Sequence, residues 1–205
     1  MADRPVADGI VEQAPDGSTQ IRFVRRLPYP VGRVWEALTD PAELHRWWGD
    51  TDLDLAEGGR FTLRWRNTDP DGNVATLDGA ITKLDPPRFM EISATWGSTG
   101  STDPGTPTTL TWELEPAGDH TILRFTNTLP TPPEESTTAA GWHFHLDALA
   151  TALAGEEVDI THPEPLFDPI HNAYEETYGP GDERPRAEDK GSGPEDDGPG
   201  TGDRP

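Results

Sequence analysis

The chain has 205 residues, a formal net charge of −22 at pH 7 and no cysteine. Its length suits one domain of ordinary size with flanking segments, and its charge disfavours nucleic acid and anionic membrane surfaces as partners, because phosphate groups would be repelled. The absence of cysteine excludes disulfides and cysteine-ligated zinc. We find neither an apolar window long enough to span a bilayer nor the apolar core of a signal peptide, and we therefore expect a cytoplasmic protein without membrane insertion.

Composition divides the chain into four segments. We expect residues 1–17 to be a flexible N-terminus and residues 180–205 to be a disordered acidic tail rich in proline and glycine, because neither can bury enough apolar surface to offset its ordering entropy. Residues 18–160 carry regular periodicities and form the predicted domain. Residues 161–179 form a C-terminal extension with enough apolar residues for a short docking helix.

The domain begins with a strand and a corner of two short helices. Residues Ser18–Leu27 alternate as in a strand, and the chain turns helical after Pro30. Asp40 followed by Pro41 is typical of a helix N-cap, which predicts a second helix over Pro41–Trp48 that ends at Gly49.

Three of the seven tryptophans lie in this corner: Trp35, Trp47 and Trp48. Either the rings anchor the corner helices on the sheet, or they line a pocket. Large aromatic rings most often fill cores, so we expect anchoring for the group as a whole. Trp48, beside Gly49, is the ring that we place at the mouth of a cavity.

Strands and one long helix follow the corner. The predicted strands lie at Arg60–Thr68, Val74–Asp85, Arg88–Trp96, Thr108–Pro116 and His120–Leu129, after a short one at Leu53–Leu55. The helix extends from about Glu134 to Leu153, with an apolar stripe at Trp142, Leu146, Leu149 and Leu153. An antiparallel sheet with one apolar face needs a cover, and this helix supplies it, so the pattern predicts an α+β fold.

Five segments in this order resemble a known family. They are "FVRRLPYPVGRVWEALTDPAELHRWWGD", "LAEGGRFTLRW", "DGAITKLDPPRFMEISATW", "TTLTWELEP" and "GWHFHLDALATALAGE". Together they look like the AHSA1-like (activator of Hsp90 ATPase homologue 1-like) branch of the SRPBCC, or START/Bet v 1-like, superfamily. The resemblance implies a helix-grip fold, in which a curved antiparallel sheet surrounds the long C-terminal helix and leaves a cavity between them. Fold alone does not determine function.

The side chains directed towards this cavity are the candidate ligand-binding residues. From strand alternation and helix periodicity we expect it to be lined by Trp48, Leu63, Trp65, Leu77, Trp112, Phe125, Asn127, Trp142, His145, Leu146 and Leu149. Trp65 and Trp112 point towards the helix and form either pocket wall or plain core, whereas Trp96 is not assigned to the cavity. Asn127 and His145 are the polar groups that would orient a ligand.

No catalytic residue is assigned. His145 could act as a general acid or base, but a histidine hydrogen-bonded at the helix edge is the better explanation, and Asp78 is the alternative carboxylate. His143 and His145 diverge on a helix and have no third ligand at useful spacing, so we predict no metal site and no cofactor.

Phe144 projects away from Leu146 and therefore needs a cover. We expect Leu166, Phe167, Ile170 and Tyr174 of the extension to dock there, or a second subunit to do so as a homodimer.

Three functions stay open. The first is binding of a small hydrophobic or amphipathic molecule in the cavity. The second is a cavity enzyme of the cyclase, dehydratase or hydrolase type, which requires an ionisable group with a strongly shifted pKa inside the cavity. The third is a chaperone-interaction module of the Hsp90 co-chaperone type, which predicts a collapsed interior and a functional outer surface.

Overall fold

The computed structural model describes residues 7–101, 103–130 and 135–179. These residues form eight strands: β1 (Ile10–Gln13), β2 (Thr19–Leu27), β3 (Asp50–Leu53), β4 (Arg60–Arg64), β5 (Ala75–Asp85), β6 (Phe89–Ser98), β7 (Thr106–Ala117) and β8 (His120–Leu129). The helices are α1 (Val31–Thr39), α2 (Pro41–Trp47), α3 (Glu135–Leu153) and α4 (Glu164–Tyr178). The predicted boundaries differ from these mainly at strand ends.

All the strands belong to one antiparallel sheet in the order β1-β2-β8-β7-β6-β5-β4-β3. Helices α1 and α2 carry the chain from β2 to β3, which lies at the far edge of the sheet. Helix α3 is buried on nearly every side because it lies between the sheet and α4. The α+β fold, with an open curved sheet around a long helix, is confirmed.

A local irregularity adds curvature near the middle of the sheet. The register between β5 and β6 shifts between Ile81 and Lys83, and such a bulge bends and twists its strand. At Gly79 a Cβ atom would lie 2.1 Å from the carbonyl oxygen of Ser93, so only glycine allows the two strands to approach this closely.

The helix corner is held as the sequence predicts. The Asp40 carboxylate accepts hydrogen bonds from the backbone N–H groups of Ala42 and Glu43, and the Trp47 indole donates to the carbonyl of Ala37 at 2.9 Å. Trp47 and Trp48 are 0% and 1% exposed, and Trp35 is also buried. The prediction that this group of rings anchors the corner is confirmed.

The N-terminal segment differs from the expected flexible one. Residues 10–13 form β1, which pairs with β2 at the edge of the sheet. The backbone N–H of Gly9 donates to the Tyr174 hydroxyl at 2.7 Å, and the Tyr178 hydroxyl donates to the Gly9 carbonyl at 3.1 Å. These contacts with α4 order a segment whose composition alone does not predict order.

The extension forms α4, which lies on the side of α3 that faces away from the sheet. Ile170 and Tyr174 are buried against α3, and Phe167 is half-buried. Leu166 is 54% exposed, so it does not dock as expected. Phe144 is nevertheless covered, with 5% of its surface exposed. The acidic tail expected over 180–205 lies outside the described residues.

Candidate functional site

A cavity of about 710 Å³ lies between the sheet, helix α3 and the segment that leads into α4. It lies at one end of the sheet, beside the residue that follows β4 (Trp65), the first residues of β5 and β7 (Ala75 and Thr106) and the last residue of β8 (Leu129), with α4 forming one side. Its lining combines aromatic, small and polar side chains: Trp65, Asn67, Ala75, Trp96, Thr106, Leu129, Thr137, Thr138, Gly141, Trp142, Phe144, His145, Ile160, Pro163, Glu164, Phe167 and Asp168.

Two stacked tryptophans form one wall of the cavity. The ring centroids of Trp65 and Trp96 are 4.9 Å apart with an interplanar angle of 27°. Trp142 of α3 meets Trp96 edge-on, with centroids 6.2 Å apart. Trp65 and Trp96 are both only partly buried although their rings are large and flat. This wall therefore offers apolar area that a planar molecule could cover.

His145 holds Trp65 in this position through a hydrogen bond. The Trp65 indole N–H donates to Nε2 of His145 at 2.9 Å, and Nδ1 of His145 lies 3.0 Å from the carbonyl oxygen of Trp47. An indole N–H can only donate and a carbonyl oxygen can only accept. His145 is therefore neutral, with its proton on Nδ1.

The environment of His145 keeps it neutral well below pH 7. Burial lowers its pKa to about 4, because the charged imidazolium would lose its hydration, and the hydrogen bond to the Trp47 carbonyl opposes this only in part. Protonation would also place an N–H on Nε2, so that two hydrogen-bond donors would face each other and the bond from the Trp65 indole would be lost. Since both nitrogens are occupied, His145 has no free lone pair with which to act as a general base, and its role here is to position Trp65.

Asn127 belongs to a buried hydrogen-bond network behind the cavity. Its side-chain oxygen accepts from the Trp142 indole N–H at 2.9 Å, and its amide donates to the Thr108 hydroxyl. Asn127 is fully buried and does not reach the cavity. It fixes the orientation of Trp142, which does line the cavity.

Replacing Asn127 by leucine is expected to lower the free energy of unfolding by about 2 kcal/mol, because the Trp142 indole N–H loses its buried acceptor. Urea unfolding followed by circular dichroism measures the change. In a double-mutant cycle, Trp142→Phe removes that donor, so Asn127→Leu should cost clearly less in the Trp142→Phe background. Equal costs in both backgrounds would contradict the role of this bond.

The structure divides the predicted cavity residues into two groups. Trp65, Trp142 and His145 line the cavity. The others lie in the packed core with at most 1% of their surface exposed: Trp48, Leu63, Leu77, Trp112, Phe125, Asn127, Leu146 and Leu149. Trp48 is thus a central core residue and not part of the cavity mouth. Alternation identifies the face on which a side chain lies, but not the point along the strand at which sheet and helix separate.

Several lining residues are not in the predicted set. Trp96 is not among the predicted cavity residues, and the structure places it on the cavity wall. Gly141 lies one helical turn before His145 on α3, so the helix period could have indicated it. Phe167, Glu164 and Asp168 belong to α4, and no sequence pattern indicates where α4 lies relative to the sheet.

The remaining ionisable candidates lie away from the cavity. Asp78 is exposed on the outer face of β5. His143 faces α4, where Nδ1 lies 3.3 Å from the Tyr174 hydroxyl. Its Nε2 also lies 3.3 Å from an oxygen of Asp147 on α3, and its Nδ1 lies 3.2 Å from an oxygen of Asp8 in the N-terminal segment. Among the described residues, no three His, Asp or Glu side chains are arranged to hold a metal ion, and no helix is long and apolar enough to cross a membrane.

Comparisons with known proteins agree with this architecture. The profile of the family described as activator of Hsp90 ATPase homolog 1-like protein matches residues 28–154. The crystal structure of CalU16 from Micromonospora echinospora is 27% identical, with a TM-score of 0.59 over 82% of this chain and 91% of that one. Its solution structure gives 26% identity and a TM-score of 0.61 over 87% and 96% of the two chains.

A more distant structure shares the fold alone. A conserved protein of unknown function, EF2215 from Enterococcus faecalis, is 21% identical, with a TM-score of 0.57 over 82% of this chain and 89% of that one. A comparison with curated protein sequences finds no match.

Proposed function

Because the chain belongs to the family of activator of Hsp90 ATPase homologue 1-like proteins, within the SRPBCC superfamily, we propose that it binds a small, flat hydrophobic or amphipathic molecule in the cavity between the sheet and α3. The observation that carries this proposal is the stacked pair of Trp65 and Trp96 on the cavity wall. The two rings cover one face of each other, and a planar ring system that packs against their remaining exposed area gains more contact than a flexible chain.

The size and chemistry of the cavity support this function. A volume of about 710 Å³ lies within the range of ordinary small-molecule sites, which is roughly 300 to 1,000 Å³. Aromatic and aliphatic side chains form most of the lining, and Asn67, Thr106 and Thr138 supply dispersed polar groups. Few polar groups on an apolar wall are typical of sites that bind an amphipathic ligand.

The two alternative functions receive less support. An enzyme would need an ionisable group free to exchange a proton with its substrate. The nitrogens of His145 are both occupied by hydrogen bonds, and Asp78 lies on the outer face. The two carboxylates that line the cavity, Glu164 and Asp168, are exposed to solvent on α4 and not enclosed with the tryptophan wall. A co-chaperone module with a collapsed interior fits poorly with an open cavity of this volume.

Filling the cavity from within tests the proposal. A Cβ atom on Gly141 would meet no atom within 4 Å, so Gly141→Leu should fold and project a side chain into the cavity. We expect its affinity for the neutral probe N-phenyl-1-naphthylamine, measured by fluorescence titration, to fall by about tenfold or more, a loss of about 1.4 kcal/mol. Thermal stability should be kept, since glycine is a poor residue within a helix.

Gly32→Leu is the matched control. Gly32 is also a helical glycine with no atom within 4 Å of the Cβ position, but it is exposed on α1, away from the cavity. This variant should bind the probe like the wild type. If the wild type does not bind the probe, or if both variants bind it equally well, the proposed function is wrong. Native mass spectrometry of the purified protein gives an independent readout by detecting a molecule retained in the cavity.

A further inference from the structure

Among the described residues that line the cavity, the two charged side chains are acidic and lie on one helix. Glu164 and Asp168 are four residues apart on α4, which places them on the same face. Both are exposed, and neither forms an ion pair within the described part of the chain. The other described lining residues are uncharged, including His145, whose hydrogen bonds fix it in its neutral form.

We propose that the molecule bound in this cavity is a flat aromatic compound that carries a basic amino group, and that the first turns of α4 select for it. This inference rests on the proposed function. The aromatic rings would lie on Trp65 and Trp96, while the ammonium group would lie at the mouth, beside the carboxylates of Glu164 and Asp168.

Electrostatics at the mouth favours a cation for two reasons. The carboxylates repel each other at this spacing, and a cation between them relieves that repulsion. The net charge of −22 adds a weaker, long-range attraction for cations.

One local effect acts in the opposite direction. The N-terminus of α4 lies at the cavity, and a helix N-terminus carries a partial positive charge of about half a unit. The two carboxylates carry about four times that charge with the opposite sign. Glu164 itself lies in the first turn, where it offsets the helix dipole directly. The mouth therefore stays net negative and disfavours an anionic ligand.

The acidic side of the cavity lies outside the part of the chain that the family profile matches. That match covers residues 28–154, and it includes the tryptophan wall. Glu164 and Asp168 follow it on α4. The shared domain thus supplies the apolar surface, and the extension supplies the charge that discriminates between ligands of similar shape.

Three anthracene derivatives of matched shape test the inference: 9-anthracenemethanol, which is neutral, 9-(aminomethyl)anthracene, which is cationic near pH 7, and the anionic 9-anthracenecarboxylate. Their affinities are measured by fluorescence titration. We expect the amine to bind about five- to tenfold more tightly than the alcohol, since each exposed ion pair with a carboxylate is modest, and the carboxylate to bind more weakly than the alcohol. Added salt should reduce these differences.

The double variant Glu164→Gln/Asp168→Asn should bring the affinities of the amine and the alcohol close together, mainly by weakening the amine, because only the amine forms ion pairs with these side chains. Asp78→Asn/Glu113→Gln is the control, because it removes the same charge from the outer face of the sheet, where both side chains are exposed. It should keep the preference for the amine.

The outcomes separate this inference from the proposed function. If the alcohol binds and the amine binds no more tightly, or if the preference survives Glu164→Gln/Asp168→Asn, the selective role of α4 is wrong and the cavity remains a binding site. If none of the derivatives binds the wild-type protein, the proposed function fails together with the inference.

Discussion

Replacing Trp48 by alanine is expected to lower the free energy of unfolding by about 3 to 5 kcal/mol, the usual cost of truncating a large buried aromatic side chain. Trp48 is 1% exposed and stacks on Trp47 with ring centroids 5.4 Å apart. Its ring also meets Phe61, Trp112 and Trp142 at 5.5 to 5.8 Å. Alanine would leave a hole between the helix corner, the sheet and α3. Urea unfolding monitored by circular dichroism gives the value.

Trp96→Ala is the matched comparison, because it removes the same side chain from the cavity wall. Trp96 is only partly buried, so we expect a smaller loss of stability, about 1 to 2 kcal/mol, together with a clear loss of affinity for N-phenyl-1-naphthylamine. If Trp48→Ala kept its stability and lost only affinity for the probe, Trp48 would belong to the cavity mouth, and its assignment to the core would be wrong.

The parts of the fold that could be predicted from the sequence are those marked by short sequence patterns within a single helix or strand. The Asp40–Pro41 pair marks the start of α2 because a carboxylate cap and a proline both satisfy the first turn of a helix. Strand β1 was missed for the opposite reason. Its order comes from pairing with β2 and from the hydrogen bonds between Gly9 and two tyrosines of α4, which lie more than 160 residues further along the chain.

The candidate site was harder to predict because core and cavity obey the same periodicity. Leu63 and Trp65 are two residues apart on one face, yet Leu63 is sealed in the core and Trp65 lines the cavity. On α3, His145 lines the cavity, whereas Leu149, one turn later, is fully buried. The difference depends on where sheet and helix diverge and on how α4 closes the gap. Both are properties of the assembled fold and leave no mark in a local pattern.

The tautomer of His145 explains how a titratable residue can line an apolar site without disturbing it. Its Nδ1–H donates to the Trp47 carbonyl and its Nε2 accepts from Trp65, so its hydrogen bonds are complete only in the neutral form. The imidazole therefore connects the helix corner to the tryptophan wall. Any shift of this ring would move Trp65, and with it the surface on which we propose that the ligand stacks.

This arrangement makes the stability of the protein depend on pH in a defined direction. The pKa of His145 is lowered from an ordinary value of 6.5 to about 4 in the folded state, mainly by burial. Between these values the unfolded chain binds a proton that the folded protein does not, so the free energy of unfolding falls as the pH falls. The stability that depends on a neutral His145 is fully present above pH 6.5 and is lost as the pH falls towards 4. The total loss in the free energy of unfolding is about 3 kcal/mol.

The experiment compares urea unfolding of the wild type and His145→Gln between about pH 7.5 and pH 4.5. Over this interval the free energy of unfolding of the wild type should fall by about 2 to 3 kcal/mol more than that of the variant, because glutamine does not titrate. The titration of the carboxylates changes the stability of both proteins equally and therefore cancels in the comparison. His162→Gln is the control, because the His162 side chain is 78% exposed, and it should follow the wild type. Parallel pH profiles for the wild type and His145→Gln would mean that folding does not lower the pKa of His145, which would contradict its burial as a neutral imidazole that accepts the hydrogen bond from Trp65.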